Sequence, residues 1–176
     1  MYAGHIGIAL GMNGWRRSVP LVALLLAAQG PDWIDLIFAA GRISSGNVSM
    51  WSHSIPSALV VALVLASVTL ARRRSAATAA ILAAAYLSHL PADYITGRKP
   101  LFASTSTFGL SLYDRPLWDF AAEAIVIVVG WWLWRRSFPP DRRNRPAAWL
   151  LVAGLITIQA AADLALYLRA ANTRLF

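Results

Sequence analysis

Two short stretches of the sequence combine side chains that bind divalent metals. His89 and Asp93 are four residues apart, so a helix would present both on one face. Asp32 and Asp35 are three residues apart and follow Pro31, which suits the first turn of a helix. Because the chain contains no cysteine, any transition-metal site must use histidine, aspartate or glutamate. The two pairs therefore indicate a site made of imidazoles and carboxylates.

The other two histidines also lie at the borders of apolar stretches. His53 stands between Ser52 and Ser54 directly before a long apolar stretch, which is typical of a helix that begins with a serine cap. His5 lies in a glycine-rich stretch, Ala3-Gly4-His5-Ile6-Gly7, where small residues would let another helix approach closely. Taken alone, each histidine has a simpler explanation as an interfacial side chain, so the case for a site depends on where the fold brings them.

The composition is that of a membrane protein. Hydrophobic residues make up 58% of the 176 residues and charged residues 14%, against about 45–50% and 25% in soluble domains. This excludes disorder and argues against a soluble enzyme. The net charge of +8 would suit a nucleic-acid partner, but membrane topology explains the arginines better, and we expect no nucleic acid. The N-terminus has no basic region or cleavage site, so we expect no cleaved signal peptide. A length of 176 residues suits a single domain, and we expect one integral membrane domain over residues 1–176.

Hydrophobic stretches of about 20 residues predict the membrane-spanning helices. The stretches that reach this length are 55–71, 76–95, 118–134 and 147–168. Pro91 lies near the end of the second of these and is expected to kink it. The stretch 2–14 is short for a span, and 19–40 is interrupted at Gly30-Pro31. We therefore predict an all-α, polytopic membrane helix bundle of five to six transmembrane segments, with the first short and the second broken.

The basic residues divide unevenly between the two sides of this bundle. If the segments alternate in direction, ten of the sixteen fall on one side, which should be cytoplasmic. All three histidines and three of the acids then fall on the extracytoplasmic side. Ionisable groups inside membrane segments are costly and tend to be functional, so this convergence predicts one metal site within residues 1–100. Its expected ligands are His5, Asp32, Asp35, His53, His89 and Asp93, with Asp35 and Asp93 as catalytic residues.

Several other polar residues are expected to surround these ligands. Asp119 and Glu123 are four residues apart near the start of a span, where they either pair with Arg115 or Arg98 or form an outer shell of the site. That shell would also include the two serines beside the second histidine, Ser52 and Ser54. A stripe on the last span is expected to make interhelical hydrogen bonds and consists of Gln159, Asp163 and Tyr167.

Basic residues on the extracytoplasmic side could hold an anionic substrate. Arg98 and Lys99 follow Asp93 by a few residues, and Arg115 precedes the next span. Such side chains bind phosphate groups or anionic lipid headgroups. Interfacial anchoring is the alternative role for Arg98 and Lys99.

The motifs resemble those of the membrane-bound metal-dependent hydrolase family, the YdjM-like inner-membrane proteins of bacteria and archaea. The resemblance lies in the early His5, in Pro31-Asp32-Trp33-Ile34-Asp35, in Ser52-His53-Ser54 and in Ser88-His89-Leu90-Pro91-Ala92-Asp93. This sequence differs from the family pattern in having Ser52 for threonine and a longer spacing between the two aspartates. The resemblance implies a divalent metal and a hydrolase. The His-x-x-x-Asp element is also similar to that of zinc-dependent phospholipase C enzymes, which suggests phosphoester chemistry at lipid headgroups.

The residues and the resemblance together lead to one preferred function and two alternatives. We expect a hydrolase of the bacterial or archaeal cytoplasmic membrane that acts at the extracytoplasmic interface on a lipid or lipid-linked phosphoester, through metal-activated water. The expected metal is zinc, with manganese or magnesium as alternatives. The first alternative is a small transporter or channel with a buried ion or proton site, and the second is a structural metal-binding membrane protein. The oligomeric state stays open.

Overall fold

The computed structural model describes residues 3–41, 51–102 and 106–173, and almost all regular structure in these ranges is helical. The α-helices are α1 (Gly4–Trp15), α2 (Leu21–Ala28), α3 (Gly30–Ala40), α4 (Ile55–Arg73), α5 (Ala76–Leu87), α6 (His89–Thr96), α7 (Pro116–Arg136), α8 (Pro140–Arg143) and α9 (Pro146–Thr173). Between α6 and α7, β1 (Lys99–Pro100) pairs antiparallel with β2 (Thr107–Phe108), and a 3-10 turn covers Leu112–Asp114. The predicted all-α fold class is confirmed, and the small hairpin is an addition to it.

Three helices in the described ranges are long and apolar enough to cross a bilayer. They are α4, α7 and the part of α9 at Pro146–Arg169, with 19, 21 and 24 residues. These lengths give roughly 28 to 36 Å, which matches a hydrocarbon core of about 30 Å. The bent pair α2 and α3 makes a fourth span if it crosses as one unit. The predicted count of five to six also included α1 and the segment that begins with α5, but α1 and α5 have only 12 residues each.

A proline divides the segment that we predicted to be continuous over residues 76–95. In a helix the amide of residue 91 would bond to the carbonyl of Leu87, but Pro91 has no N–H. The first helix accordingly ends at Leu87, and the next begins at His89. The predicted segment is thus interrupted at Ser88, which itself keeps α-helical dihedral angles (φ −63°, ψ −18°). This break turns α6 into a separate short helix that carries two of the predicted ligands.

The second break was predicted and lies between α2 and α3. The chain leaves α2 at Ala28, resumes in α3 at Gly30, and turns by 64° between the two helices. Pro31 occupies the first turn of α3, where its missing N–H costs nothing. A Cβ atom on Gly30 would lie 2.4 Å from Cε2 of Tyr86, so only glycine lets α3 begin against α5.

Glycines bring α1 into backbone contact with α7. A Cβ atom on Gly7 would lie 2.7 Å from the carbonyl oxygen of Val126, and one on Gly14 would lie 2.6 Å from the carbonyl carbon of Leu133. Gly130 has no room for a side chain either, because a Cβ atom there would overlap the Gly7 carbonyl. The contacts advance together along both helices, so α1 and α7 run in the same direction.

Helix α1 lies between two apolar clusters of the bundle. Ala9 belongs to a cluster with buried residues of α2, α4, α5 and α6. Leu10 belongs to another, with Ile127 of α7 and Leu155 of α9. A side chain at the start of α1 is therefore within reach of both halves of the protein.

The arginine-rich ends of three helices lie together. The guanidinium carbon of Arg17, just after α1, lies 3.4 Å from the centroid of the Phe138 ring, just after α7. Arg72 and Arg73 at the end of α4 line one small cavity with Pro20, which follows α1. The starts of α1, α4 and α7 consequently share the opposite end of the bundle.

We expect Gly7→Ala to lower the free energy of unfolding by about 1–3 kcal/mol, because the added methyl group must push two helix backbones apart. Gly154→Ala is the matched control, since a Cβ atom at Gly154 meets nothing within 4 Å. Thermal unfolding in one detergent measures both variants. Equal melting temperatures for the two variants would contradict the close contact between α1 and α7.

Candidate metal centre

Four elements bring the predicted ligands to the end of the bundle where α1, α4 and α7 begin. His5 lies in the first turn of α1, and Asp32 lies in the first turn of α3. His53 lies in the short turn that precedes α4, while His89 and Asp93 lie one turn apart on α6. The helix breaks before α3 and α6 are what allow these residues to meet.

Four of these residues form one compact group. Each of Asp32, His53, His89 and Asp93 offers one ligand atom, and these atoms all lie within 4.8 Å of one another. We call this group the His–Asp cluster. Asp93 Oδ2 lies 3.2 Å from Nε2 of His53 and 3.4 Å from Nε2 of His89. Asp32 Oδ1 lies 3.3 and 3.5 Å from the same two nitrogens, so four donor atoms point to one small volume.

The far side of each imidazole is held by a hydrogen-bond acceptor. His89 Nδ1 donates to the carbonyl oxygen of Ala28 at 2.8 Å, at the end of α2. His53 Nδ1 lies 3.2 Å from Oδ2 of Asp35, and Ser52 Oγ, 2.9 Å from the same nitrogen, donates to Asp35 Oδ1 at 2.5 Å. With a proton on each Nδ1, both Nε2 lone pairs face the centre of the cluster. Such outer partners are typical of histidines that bind metals.

The distance between the two Nε2 atoms shows whether these residues suit a bound cation. His53 Nε2 and His89 Nε2 lie 3.1 Å apart, beside two carboxylate oxygens. Two imidazole lone pairs repel each other at this distance unless a proton or a metal ion lies between them. Two imidazoles and two carboxylates are a donor set that suits zinc, and also manganese. The residues therefore fit a divalent cation, and a possible metal site is the coarse prediction that the geometry bears out.

His5 and Asp35 lie next to the His–Asp cluster and outside it. His5 Nε2 lies 3.2 Å from Asp93 Oδ1, whereas the cluster histidines contact Oδ2, and the His5 ring stacks on His89 with the ring centroids 3.9 Å apart. Asp35 contacts the outer nitrogen of His53. Both positions suit residues that orient a ligand, and their roles as ligands stay predictions.

One of the three basic residues predicted to bind an anionic substrate contacts the cluster. Lys99 Nζ lies 3.1 Å from Asp93 Oδ2, the oxygen that faces both cluster histidines. Arg98 Nε instead donates to Ser111 Oγ at 2.8 Å, in an exposed position. Arg115 is exposed and precedes the first residue of α7. Of the three, Lys99 is the one placed to share space with an anionic group at the centre.

The cluster is buried on all sides except one. His53, His89 and Asp93 are nearly inaccessible, whereas the Asp32 side chain is 52% exposed. Burial lowers the pKa of His53, which lies in the turn before α4, but its contacts with the Asp32, Asp35 and Asp93 carboxylates outweigh burial and raise that pKa to about 10. A cation that enters the cluster must therefore displace a proton at neutral pH.

The predicted outer-shell residues have different surroundings. Ser52 contacts His53, but Ser54 Oγ lies 2.9 Å from Ser57 Oγ. Glu123 accepts the backbone N–H of Gly4 at 2.9 Å, directly beside His5 in sequence. Buried Asp119 interacts with the carboxyl groups of Glu123, one turn further along α7, and of Asp163 on α9.

One contribution to the site was missing from the sequence prediction, the carbonyl of Ala28, which any residue type would offer and which no motif marks. The interhelical hydrogen bond predicted for Gln159 is formed, and its Oε1 accepts the N–H of Ala3 at 3.2 Å. The signal for Gln159 is that α1 begins without a capping side chain, so its first amides need acceptors from elsewhere.

Comparison with known proteins identifies the family. No curated protein and no solved structure matches the chain. The sequence model described as YdjM inner membrane protein matches residues 3–165, which include every residue of the His–Asp cluster. The family predicted from the motifs is confirmed, and the chain belongs to the YdjM inner membrane protein family.

Proposed function

We propose that this protein is a membrane-embedded, metal-dependent hydrolase that acts at the extracytoplasmic interface on a lipid or lipid-linked phosphoester. The observation that carries the proposal is the His–Asp cluster, in which four ligand atoms lie within 4.8 Å of one another. A divalent cation bound there would polarise a phosphoryl oxygen and lower the pKa of a water molecule from 15.7 to about 7.

The residues around the cluster have separate tasks in this proposal. Asp35 holds the His53 imidazole through Nδ1 and keeps its Nε2 directed at the cation. Asp32, the exposed member of the cluster, lies on the side from which water and substrate enter. Water must be able to reach the metal in a catalytic site. The solvent access at Asp32 therefore favours the hydrolase over a purely structural metal-binding role.

Lys99 supplies the charge that an anionic substrate needs. Its ammonium group pairs with Asp93 Oδ2 at 3.1 Å and is largely buried. A cation in the cluster would compete for that oxygen and leave the ammonium free to bind a phosphate. In this role Lys99 stabilises the negative charge that develops in the transition state.

The surroundings of Asp32 support a lipid substrate. Trp33, Leu36 and Ile37 on α3 are 43%, 57% and 64% exposed, in a helix that also carries Asp32 and Asp35. An apolar surface beside the open side of a polar site suits a molecule with a hydrocarbon part. The arginine-rich opposite end of the bundle supports an extracytoplasmic position for the cluster.

The bent α2–α3 pair favours a second candidate function, a small transporter or channel. Broken helices with ionisable groups at the break bind ions in many transporters. Purified protein in liposomes distinguishes the two functions, because the hydrolase proposal predicts release of a headgroup without ion flux. Flux without hydrolysis would reverse the assignment.

We expect purified wild-type protein to contain a stoichiometric divalent metal, and the double variant His89→Ala/Asp93→Ala to contain almost none. The two substitutions remove two of the four donor atoms of the cluster. Inductively coupled plasma mass spectrometry measures the metal. The control is Asp141→Ala, which removes an exposed carboxylate from α8 at the arginine-rich end. Full occupancy in the double variant would place the metal elsewhere.

We expect Lys99→Met to raise the metal affinity and to lower phosphoester hydrolysis roughly 100-fold, the size typical of losing one transition-state donor. The affinity rises because the ammonium no longer competes for Asp93. Cobalt titration and headgroup release from phospholipids in mixed micelles measure the two effects. Arg142→Met, which removes the same charge at the other end of the bundle, is the control. A parallel loss of affinity and rate would instead make Lys99 a structural residue.

A further inference from the structure

Helices α7 and α9 contribute no residue to the His–Asp cluster, yet they carry buried polar side chains at the same end of the bundle. Glu123 and Gln159 are completely buried, and Asp163 is 5% exposed. Both helices qualify as membrane spans, where such side chains are costly and need a compensating contact. Their contacts lead to the start of α1.

The first amides of α1 are capped by these two helices. A helix leaves its first N–H groups without partners inside the helix, and the N-cap residue of α1, Ala3, has no side chain that could cap them. The N–H of Ala3 donates to Gln159 Oε1 at 3.2 Å, and the N–H of Gly4 donates to Glu123 Oε2 at 2.9 Å. An acidic group at this position also interacts favourably with the helix dipole.

Asp163 fixes the orientation of the glutamine that takes part in this cap. Gln159 Nε2 donates to Asp163 Oδ1 and Oδ2 at 3.0 and 3.1 Å. With its amide nitrogen held in this way, Gln159 turns its carbonyl oxygen toward Ala3. The result is a continuous buried path of hydrogen bonds from α9 to the backbone of α1.

The next residue along α1 is His5, so the cap determines where this imidazole lies. His5 Nε2 contacts Asp93 Oδ1 at 3.2 Å, while the other oxygen of that carboxylate faces the cluster. The helix has no freedom to adjust by sliding, because Gly7 is already in contact with the backbone of α7. A shift at the first turn of α1 would be transmitted to His5 and then to Asp93.

We propose that Glu123 and Gln159 are positioning residues of the metal centre, which act by holding the first turn of α1 so that His5 orients Asp93. The inference rests on the proposed function, since it assumes that Asp93 binds a metal. It differs from ordinary interhelical hydrogen bonding, which would stabilise the bundle without any effect that depends on His5.

A double-mutant cycle separates the two roles. Cobalt(II) affinity of the full-length protein, followed by its visible absorption, is measured for wild type, Glu123→Leu, His5→Ala and the double variant. Loss of an outer partner typically lowers metal affinity 10- to 100-fold. We expect Glu123→Leu to weaken cobalt binding about tenfold in the wild-type background and to have no further effect in the His5→Ala background.

Two further variants and one control make the cycle decisive. Gln159→Leu provides a second, independent cycle with the same expected dependence on His5, and Glu123→Gln, which keeps an acceptor oxygen, should restore most of the affinity. Asn13→Ala is the control, because Asn13 makes a buried hydrogen bond to Val19 at the other end of α1. It should lower the melting temperature and leave cobalt binding unchanged.

Each outcome of the experiment decides between the proposals. If Glu123→Leu or Gln159→Leu weakens cobalt binding further in the His5→Ala background, the positioning role is wrong and the metal site stands. An equal loss of cobalt affinity in Asn13→Ala would have the same meaning. Wild-type protein that binds no cobalt would overturn the proposed metal-dependent function, and the positioning role with it.

Discussion

The arrangement of the protein depends on the buried carboxylate of Asp93. Its Oδ1 contacts His5, and its Oδ2 contacts His53, His89 and Lys99, all at 3.1 to 3.4 Å. A carboxylate without such partners would be prohibitively costly in an apolar interior. Because the partners come from α1, the turn before α4, α6 itself and β1, satisfying one charge fixes the relative positions of four elements. The convergence of these groups is therefore an electrostatic requirement of the fold as well as the basis of the proposed function.

The two helix breaks make this convergence compatible with a membrane. A continuous helix uses all its interior carbonyls, so it has none to offer to a histidine. Where α2 ends at Ala28, the carbonyl oxygen becomes available and accepts from His89 Nδ1. Irregular backbone at membrane depth is tolerated where it is buried in protein or lines a cavity. Pro31 and Pro91 place both breaks at the end of the bundle where the cluster lies, and the break after α2 also frees the Ala28 carbonyl as a partner for the site.

Sequence reasoning could predict which side chains meet, and it was less able to predict how they meet. The side on which His53, His89 and Asp93 lie follows from the positions of the arginines, because charge determines the orientation of each span. The position of Asp35 behind His53 depends on the 64° bend between α2 and α3, which a proline predicts only as a break. The contact of Lys99 depends on the pairing of two strands of two residues each, β1 and β2, in a stretch whose sequence has no hydrophobic periodicity. Contacts to backbone atoms carry no residue signature at all.

The distribution of buried charge bears on the choice between the proposed hydrolase and the alternative transporter. In the described ranges, every buried histidine, aspartate and glutamate side chain lies at the end where α1, α4 and α7 begin, and these are His5, His53, His89, Asp93, Asp119, Glu123 and Asp163. At the other end, the described residues bury polar side chains at Asn13 and Thr69, among alanine and leucine. An ion that crossed the membrane would need polar groups in both halves, whereas a hydrolytic reaction needs them in one place with one opening. The half-exposed Asp32 beside the apolar surface of α3 is such an opening, so the asymmetry favours chemistry on a molecule that arrives from one side.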